Sequence, residues 1–253
     1  MDVKVLGSGN AFNQDERLNS AYLINSQNKN ILVDCGFTVP YALQKLKFPF
    51  CDLDFIFITH YHGDHYAGLS ALLLGLKYIY PLEKELIIVG PGDVRRKVLE
   101  LLKVLYGGTE EILDELNLKF VSVDQYGGKY KEGDLCFESV LMKHSEKAEP
   151  VGYLLRLEGR NIGFSGDTCW HDGVEPFVKA CDKVFLECNF ADKVGEGHIS
   201  VEELESSKAI QQLKPQIYLS HLYEGSALKA KLLGYNILSD GDELELINDK
   251  NFL

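Results

Sequence analysis

The stretch HYHGDH at residues 60–65 constrains this chain more than any other part of its sequence. It holds three of the seven histidines and one aspartate, and it directly follows the apolar run DFIFIT at 54–59. A short apolar run rich in β-forming residues predicts a buried strand. Imidazole and carboxylate groups crowded at a strand end suit zinc, manganese or iron(II). The stretch therefore predicts a metal site at the end of a strand.

The spacing inside this stretch indicates two sets of ligands. His60 and His62 are two residues apart, and in extended chain such side chains point the same way, so they can share one metal. Asp64 and His65 follow Gly63, where the chain must bend before the next helix, and they can face a second metal. The alternative is that these polar residues are solvated or cap the helix, but this leaves the crowding of imidazoles unexplained.

Strand-like and helix-like segments continue along the chain without a linker, a repeat or a low-complexity segment. The predicted strands lie at 3–7, 21–25, 30–34, 54–59, 85–90, 118–123, 135–142, 151–158, 161–166, 183–188, 216–220 and 243–247. The predicted helices lie at 39–46, 66–76, 92–106, 174–180, 200–213 and 224–233. Mixed strands with helices in both halves predict a layered α/β sandwich, formed as a single domain over residues 1–253.

Charge and composition argue against several classes of protein. The net charge of −12 and the pI of about 5.1 argue against a broadly basic surface that holds nucleic acid. No apolar run approaches the roughly 20 residues that span a bilayer, and the first residues carry no basic leader. The six cysteines form no CxxC pair, which favours free, mostly buried thiols in a reducing compartment. We therefore expect a cytoplasmic protein without membrane contact.

The segment THYHGDH resembles the HxHxDH signature of the metallo-β-lactamase superfamily. Further motifs of that superfamily follow in the expected order along essentially the whole chain; they are LVDCG at 32–36, MKHS at 142–145, FSGDT at 164–168 and YLSHL at 218–222. Five ordered motifs are far more specific than one. The resemblance implies the metallo-β-lactamase fold, a four-layer αββα sandwich.

The same resemblance implies a dinuclear site that holds two divalent metal ions. Zn²⁺ is favoured, and Mn²⁺ or Fe²⁺ are the alternatives. One ion would take His60, His62 and His144, the other would take Asp64, His65 and His221, and Asp167 would bridge the two. A hydroxide between the ions would be the nucleophile of a hydrolase, with Asp64 counted among the catalytic residues. Asp34 would accept a hydrogen bond from a ligating histidine.

Within the superfamily, the ribonuclease Z branch is the most similar. Its opening resembles LGSGNAFNQDERLNSAYLI, and its late motif resembles FLECNF at 185–190 with GHIS at 197–200. This implies that Glu187 and His198 help to protonate the leaving oxygen of a phosphodiester. The alternatives are that Glu187 is a surface strand end and that His198 merely precedes Ser200, the first residue of a capping box.

Two departures from ribonuclease Z favour a small substrate. Leu186 replaces the histidine that usually precedes the glutamate, and no basic, glycine-rich arm is evident. Residues 106–116 are acidic and would repel the phosphates of a large RNA. We therefore expect a cyclic nucleotide or a short nucleic-acid end as substrate, and relatives suggest a possible homodimer. The alternatives are a lactone, ester or thioester hydrolase on the same site, and a metal-dependent binding module without activity.

Two further motifs have both a functional and a local interpretation. Trp170 and His171 follow Asp167 and could line the mouth of a pocket, but local packing or solvation is the favoured interpretation. Arg95 and Arg96 could mark an anion-binding helix start, although a plain helix start is favoured there.

Overall fold

The first of two sheets is formed mainly by the N-terminal half of the chain. The structure is a computed structural model that describes residues 1–192 and 197–246. Its first seven-stranded sheet contains β1 (Asp2–Gly7), β2 (Ala21–Ser26), β3 (Lys29–Val33), β4 (Phe55–Phe57), β5 (Leu86–Pro91), β6 (Leu118–Val123) and β14 (Glu243–Glu245). The strand order is β14-β1-β2-β3-β4-β5-β6. The strands from β3 to β6 are parallel, and the other pairs are antiparallel.

The second sheet repeats this arrangement in the C-terminal half. It contains β7 (Gly128–Glu132), β8 (Leu135–Leu141), β9 (Val151–Leu157), β10 (Arg160–Phe164), β11 (Lys183–Glu187), β12 (Ile217–Ser220) and β13 (Asn236–Ile237). The strand order is β13-β12-β11-β10-β9-β8-β7, with β10 to β13 parallel. Each sheet therefore has a parallel half and an antiparallel half.

The helices cover the outer faces of the two sheets. Apolar residues of the first sheet pack with α1 (Val39–Lys45), α3 (Gly68–Tyr78), α4 (Val94–Leu105) and α5 (Ile112–Glu115), and the short α2 (Gly63–Tyr66) leads into α3. The second sheet packs with α6 (Val174–Ala180), α7 (Val201–Ser206), α8 (Lys208–Leu213) and α9 (Glu224–Leu232). None of these helices in the described ranges is long and apolar enough to cross a membrane. The predicted αββα sandwich is confirmed.

A dense apolar layer holds the two sheets face to face. Phe57 of β4 is fully buried, and its ring meets the rings of Phe137 and Tyr153 edge-on at centroid distances of 5.0 Å. The Tyr153 hydroxyl donates to the carbonyl of Ile58 at 2.9 Å, so its polar end is satisfied across the layer. This contact joins the end of β4 to the opposite sheet, which fixes the segment that begins the ligand stretch.

The parallel strands of both sheets have their carboxyl ends at one edge of the sandwich. Strands β3 and β4 of the first sheet end there, as do β10, β11 and β12 of the second. Because parallel strands end on the same side, the polar residues that follow these strands collect at that edge. Most of the predicted site residues lie in such a strand or within a few residues of its end; the exceptions are Asp64 and His65 in α2, His144 after the antiparallel β8, and His198.

The structure differs from the sequence prediction in several elements. The predicted helix at 200–213 is two helices, because the Ser207 side chain accepts a hydrogen bond from Ile210 N and starts α8 there. The sequence did not predict β7, α5 or β13, each of which has five or fewer residues. The predicted last strand extended to residue 247, which lies outside the described residues. All six cysteines are free, but only Cys35, Cys181 and Cys188 are buried.

Truncating a ring in the layer between the sheets tests this packing. We expect Phe57→Ala to lower the free energy of unfolding by about 3–5 kcal/mol, because it removes a buried ring and leaves a cavity. The matched control is Phe12→Ala, which removes the same atoms from a side chain that is 83% exposed, and should change stability by less than about 0.5 kcal/mol. Urea denaturation measures the free energy of unfolding of both variants. An equal loss of stability in the two would contradict the assignment of Phe57 to the core.

Candidate metal centre

The ligand stretch folds as a loop followed by one helical turn. Strand β4 ends at Phe57 rather than at residue 59, so His60 and His62 lie in the loop beyond the strand. His62 keeps an extended backbone and is the N-cap of α2, which places Asp64 and His65 in the first helical turn. The bend at Gly63 therefore turns the four polar side chains towards one space.

The first group of candidate ligands joins the loop to the second sheet. The Nε2 atom of His60 lies 3.6 Å from Asp167 Oδ2, and His144 Nε2 lies 3.9 Å from the same oxygen. His144 Nε2 also lies 3.1 Å from His62 Nδ1. One ligand atom from each of these residues falls within 4.8 Å of all the others. The structure thus brings together the complete set predicted for one metal ion.

The second group shares Asp167 with the first. His65 Nε2 lies 3.2 Å from Asp64 Oδ2 and 3.3 Å from Asp167 Oδ1. His221 Nε2 lies 3.5 Å from Asp64 Oδ2 and 3.4 Å from Asp167 Oδ2. Because both oxygens of Asp167 face candidate ligands and this residue belongs to both groups, its carboxylate can bridge two cations.

Several buried polar atoms at the meeting point of these groups make no hydrogen bond. Among the described residues, His60 Nε2, His65 Nε2 and Asp167 Oδ1 are buried and have no hydrogen-bond partner. Such groups are costly to leave unsatisfied, and native proteins rarely do so without a bound ion or water. Nitrogen and carboxylate donors in this arrangement fit divalent ions such as zinc. The donor set therefore fits the expected metals, while the role of each residue as a ligand stays a prediction.

Hydrogen bonds on the far side of the rings hold several candidate ligands in place. His65 Nδ1 donates to Asp34 Oδ2 at 2.6 Å, and the Thr59 hydroxyl donates to the same oxygen at 2.9 Å. His144 Nδ1 donates to the carbonyl of Gly197 at 2.6 Å. With Nδ1 engaged, the Nε2 atoms of both histidines are directed into the site. Asp34 thus has the contact expected of it, and Thr59 is a residue that the sequence analysis missed.

The electrostatics of the candidate ligands favour cation binding. Burial alone raises the pKa of Asp167, but the charges of His221 and His65 hold this pKa well below its usual range. The pKa of Asp64 is likewise lowered, because His65 and His221 outweigh the effect of burial. Burial lowers the pKa of His60 well below its usual value. Two ionised carboxylates therefore lie beside a neutral imidazole, which is a favourable environment for a divalent ion.

Glu187 and His198 form a hydrogen-bonded pair next to this centre, in which Glu187 is buried and His198 is partly exposed. Glu187 is 3% exposed, and its Oε1 accepts hydrogen bonds from His198 Nδ1 at 2.8 Å and from Thr168 N at 2.9 Å. Glu187 is therefore no surface strand end. Burial lowers the pKa of His198, but Glu187 and Asp167 raise it to about 9. His198 stacks on His221 with a centroid distance of 5.1 Å, so the pair lies directly beside the second group.

The local interpretations of the remaining motifs agree with the structure. Trp170 is partly buried against the apolar cluster of the second sheet and its helices, and His171 Nδ1 accepts a hydrogen bond from Gly173 N. At the start of α4, the Asp93 side chain accepts from Arg96 N and occupies the helix N-terminus. Ser200 and Glu203 form the predicted capping box of α7. The capping box lies two residues after His198 and does not compete with the contact to Glu187.

Two residues of the site have a backbone conformation that non-glycine residues rarely adopt. Asp34 has φ of 62° and His221 has φ of 58°, both in the left-handed region. Hydrogen bonds hold them there, since Thr59 N donates to Asp34 Oδ1 and His221 N donates to the Ser20 hydroxyl. Both residues directly follow the carboxyl end of a parallel strand, so the unusual backbone turns their side chains towards the site.

Replacing the carboxylate behind His65 tests its contribution to metal binding. In Asp34→Asn the amide NH₂ must face the N–H of either Thr59 or His65, so one hydrogen bond is lost. We expect metal affinity to fall about 10- to 100-fold, as measured by competition with a chromogenic chelator. The control is Asp134→Asn in the exposed turn between β7 and β8, which should bind metal like the unmodified protein. Unchanged affinity in Asp34→Asn would contradict its supporting role.

Comparison with known proteins agrees with this architecture. The sequence model of the family described as "Anti-Pycsar protein Apyc1" matches residues 1–236. An anti-Pycsar protein Apyc1 of Bacillus phage 010DV004 is 27% identical over 235 residues, covering 87% of this chain and 88% of the relative. A ribonuclease Z of Alkaliphilus oremlandii is 36% identical over 169 residues, covering 63% of this chain. The aligned region spans 52% of that ribonuclease Z.

Solved structures show the same fold. The short form of human tRNase Z superposes with a TM-score of 0.75 at 19% identity, covering 97% of this chain and 99% of that one. The metallo-β-lactamase fold protein YhfI of Bacillus subtilis superposes with a TM-score of 0.72 at 23% identity, covering 96% and 98%. The sequence resemblance to the metallo-β-lactamase superfamily near ribonuclease Z is thereby confirmed. The chain belongs to the anti-Pycsar protein Apyc1 family of metallo-β-lactamase fold proteins.

Proposed function

We propose that this chain is a hydrolase that cleaves a phosphodiester with the help of two divalent metal ions, zinc foremost. The observation that carries the proposal is the Glu187–His198 pair, joined at 2.8 Å and placed 3.9 Å from Asp167. A histidine held beside a metal centre in this way can give a proton to a leaving oxygen. Relatives named ribonuclease Z and anti-Pycsar protein Apyc1 support a substrate of the nucleic-acid class.

The two groups of ligands would hold the ions on either side of Asp167. His60, His62 and His144 would bind one ion, and Asp64, His65 and His221 would bind the other. Divalent ions bound there supply Lewis acidity, lower the pKa of water and offset the negative charge of a phosphodiester. Asp34 orients the imidazole of His65, and Thr59 orients that of His60. Each of these rings would bind one of the two ions.

The pair of Glu187 and His198 would handle the proton of the leaving group. Glu187 fixes the imidazole through Nδ1, so Nε2 is the nitrogen left to reach a substrate. Glu187 and Asp167 raise the pKa of His198 to about 9, which favours the protonated imidazole at neutral pH. A protonated imidazole beside the scissile bond can donate to an alkoxide leaving group, which is otherwise a poor one.

The charge and the fold of the chain favour a small phosphodiester over a large RNA. The segment between His65 and His144 folds as α3, β5, α4, α5, β6, β7 and β8, which pack into the sandwich rather than extend as an arm. The acidic residues at 106–116 lie within this segment, and the net charge is −12. We therefore propose a cyclic nucleotide or a short nucleic-acid end as the substrate.

The metal requirement is tested with bis-(p-nitrophenyl) phosphate and protein loaded in turn with zinc, manganese and iron(II). We expect turnover with at least one of the metals, and we expect His62→Ala to abolish this turnover because it removes a ligand of the first group. His171→Ala is the matched control, since His171 belongs to neither group and should leave turnover unchanged. A protein that stays inert towards this diester with every metal, yet cleaves lactones or thioesters, would overturn the proposal.

The proton-donor role is tested by the nature of the leaving group. His198→Ala should slow hydrolysis of a 3′,5′-cyclic nucleotide about 100- to 10,000-fold, because the leaving alkoxide needs a proton. The same variant should cleave bis-(p-nitrophenyl) phosphate almost normally, since p-nitrophenolate leaves without protonation. Glu187→Gln should follow the same pattern more weakly. If His198→Ala lost activity equally with both substrates, the residue would have a structural or metal-binding role instead.

A further inference from the structure

Phe37 is an exposed aromatic side chain that does not belong to the hydrophobic core. It is 61% exposed and follows directly after the LVDCG motif that contains Asp34. Single exposed apolar residues are common on protein surfaces, so exposure alone says little. What distinguishes Phe37 is the residue that its ring contacts.

The ring of Phe37 rests on Gly63, in the middle of the candidate ligands. An ideal Cβ placed on Gly63 would lie 2.4 Å from Cζ and 2.7 Å from Cε2 of Phe37, so a side chain at position 63 would require the ring to move. Gly63 is flanked in sequence by His62 and Asp64, one from each group of candidate ligands. The contact uses the outer edge of the ring, so the ring lies against the backbone between these two residues while most of its surface faces solvent.

The backbone that carries Phe37 is held by the ligand stretch on one side and by Asn19 on the other. Cys35 N donates to the carbonyl of His65 at 2.7 Å, and an ideal Cβ at Gly36 would lie 1.8 Å from the carbonyl oxygen of Asp64. On the other side, Thr38 N donates to Asn19 Oδ1 at 3.2 Å. The ring is therefore carried by a segment that contacts the ligand stretch. It does not project from a free loop.

We propose that Phe37 is the platform on which the base of the substrate stacks while its phosphodiester lies at the metal centre. This inference rests on the proposed function and adds the recognition of the base to it. Every nucleobase has a π-face, so a phenyl ring beside the centre binds nucleotides with little preference among bases. The ring is positioned before the substrate arrives, which limits the conformational entropy lost on binding.

The platform is tested by comparing substrates with and without a base. Phe37→Ala should raise KM for a 3′,5′-cyclic nucleotide about 5- to 150-fold, the range expected for the loss of one stacked base. Its kcat should stay within about twofold, because such stacking stabilises ground state and transition state alike. A ribose 3′,5′-cyclic phosphate that lacks a base should show the same KM with both proteins. Phe37→Trp should retain or improve the KM for the nucleotide.

Equilibrium binding separates this inference from the proposed function. Calorimetry with metal-loaded protein compares a nucleoside 5′-monophosphate with ribose 5-phosphate, and Phe37→Ala should weaken only the former. If the protein cleaves no phosphodiester but this difference in binding persists, the platform stands and the proposed reaction fails. If Phe37→Ala changes binding of both ligands equally, or of neither, the platform is overturned.

The control variant is Tyr78→Ala. It removes an aromatic side chain that is 69% exposed at the far end of α3, about 15 Å along the helix from Gly68. This variant should match the unmodified protein with every ligand. Thermal denaturation and metal content of Phe37→Ala should be unchanged, because the ring is largely exposed; a loss of bound metal would instead assign Phe37 a structural role.

Discussion

The contact between the two sheets is the constraint on which the site depends. The ligand loop leaves the first sheet, whereas His144, Asp167 and His221 leave the second, so neither of the two groups that share Asp167 is complete within one sheet. The aromatic layer around Phe57 and Tyr153 sets the distance and register of the two sheets. Because protein interiors are close-packed and deform little, this layer holds the ligand atoms within reach of one another. Stability and metal binding therefore share the same core.

Much of this arrangement could be predicted from the sequence, because it follows from local patterns. HYHGDH follows a short apolar strand, and the other motifs each lie at the end of a strand, so the meeting of these residues at one edge was predictable. Elements with weak local signals were not. The break at Ser207 depends on a side chain that could equally lie inside a helix, and β7 has only five residues, stabilised by pairing with β8. Long-range pairing of that kind leaves little trace in a single sequence.

The contacts behind the ligands show a second limit of sequence analysis. Thr59 joins Asp34 to the loop through its backbone and its hydroxyl, yet a threonine before HYHGDH carries no pattern of its own. Phe37 likewise appears in sequence as one apolar residue among many, and only the close approach to Gly63 distinguishes it. Glycine at position 63 had an apparent explanation in the bend of the chain. The three-dimensional structure adds a second one, since a side chain there would displace the ring.

The left-handed backbone at Asp34 and His221 has a consequence for how this fold can vary. Glycine adopts that conformation more readily than any other residue, so a glycine at either position would relieve strain in the polypeptide. The same change would delete a side chain that forms or supports the candidate metal centre. A glycine at position 221 would keep the backbone hydrogen bond to Ser20, whereas a glycine at position 34 would leave the Thr59 and His65 donors without their acceptor. The requirement for these side chains therefore opposes the relief of backbone strain at both positions.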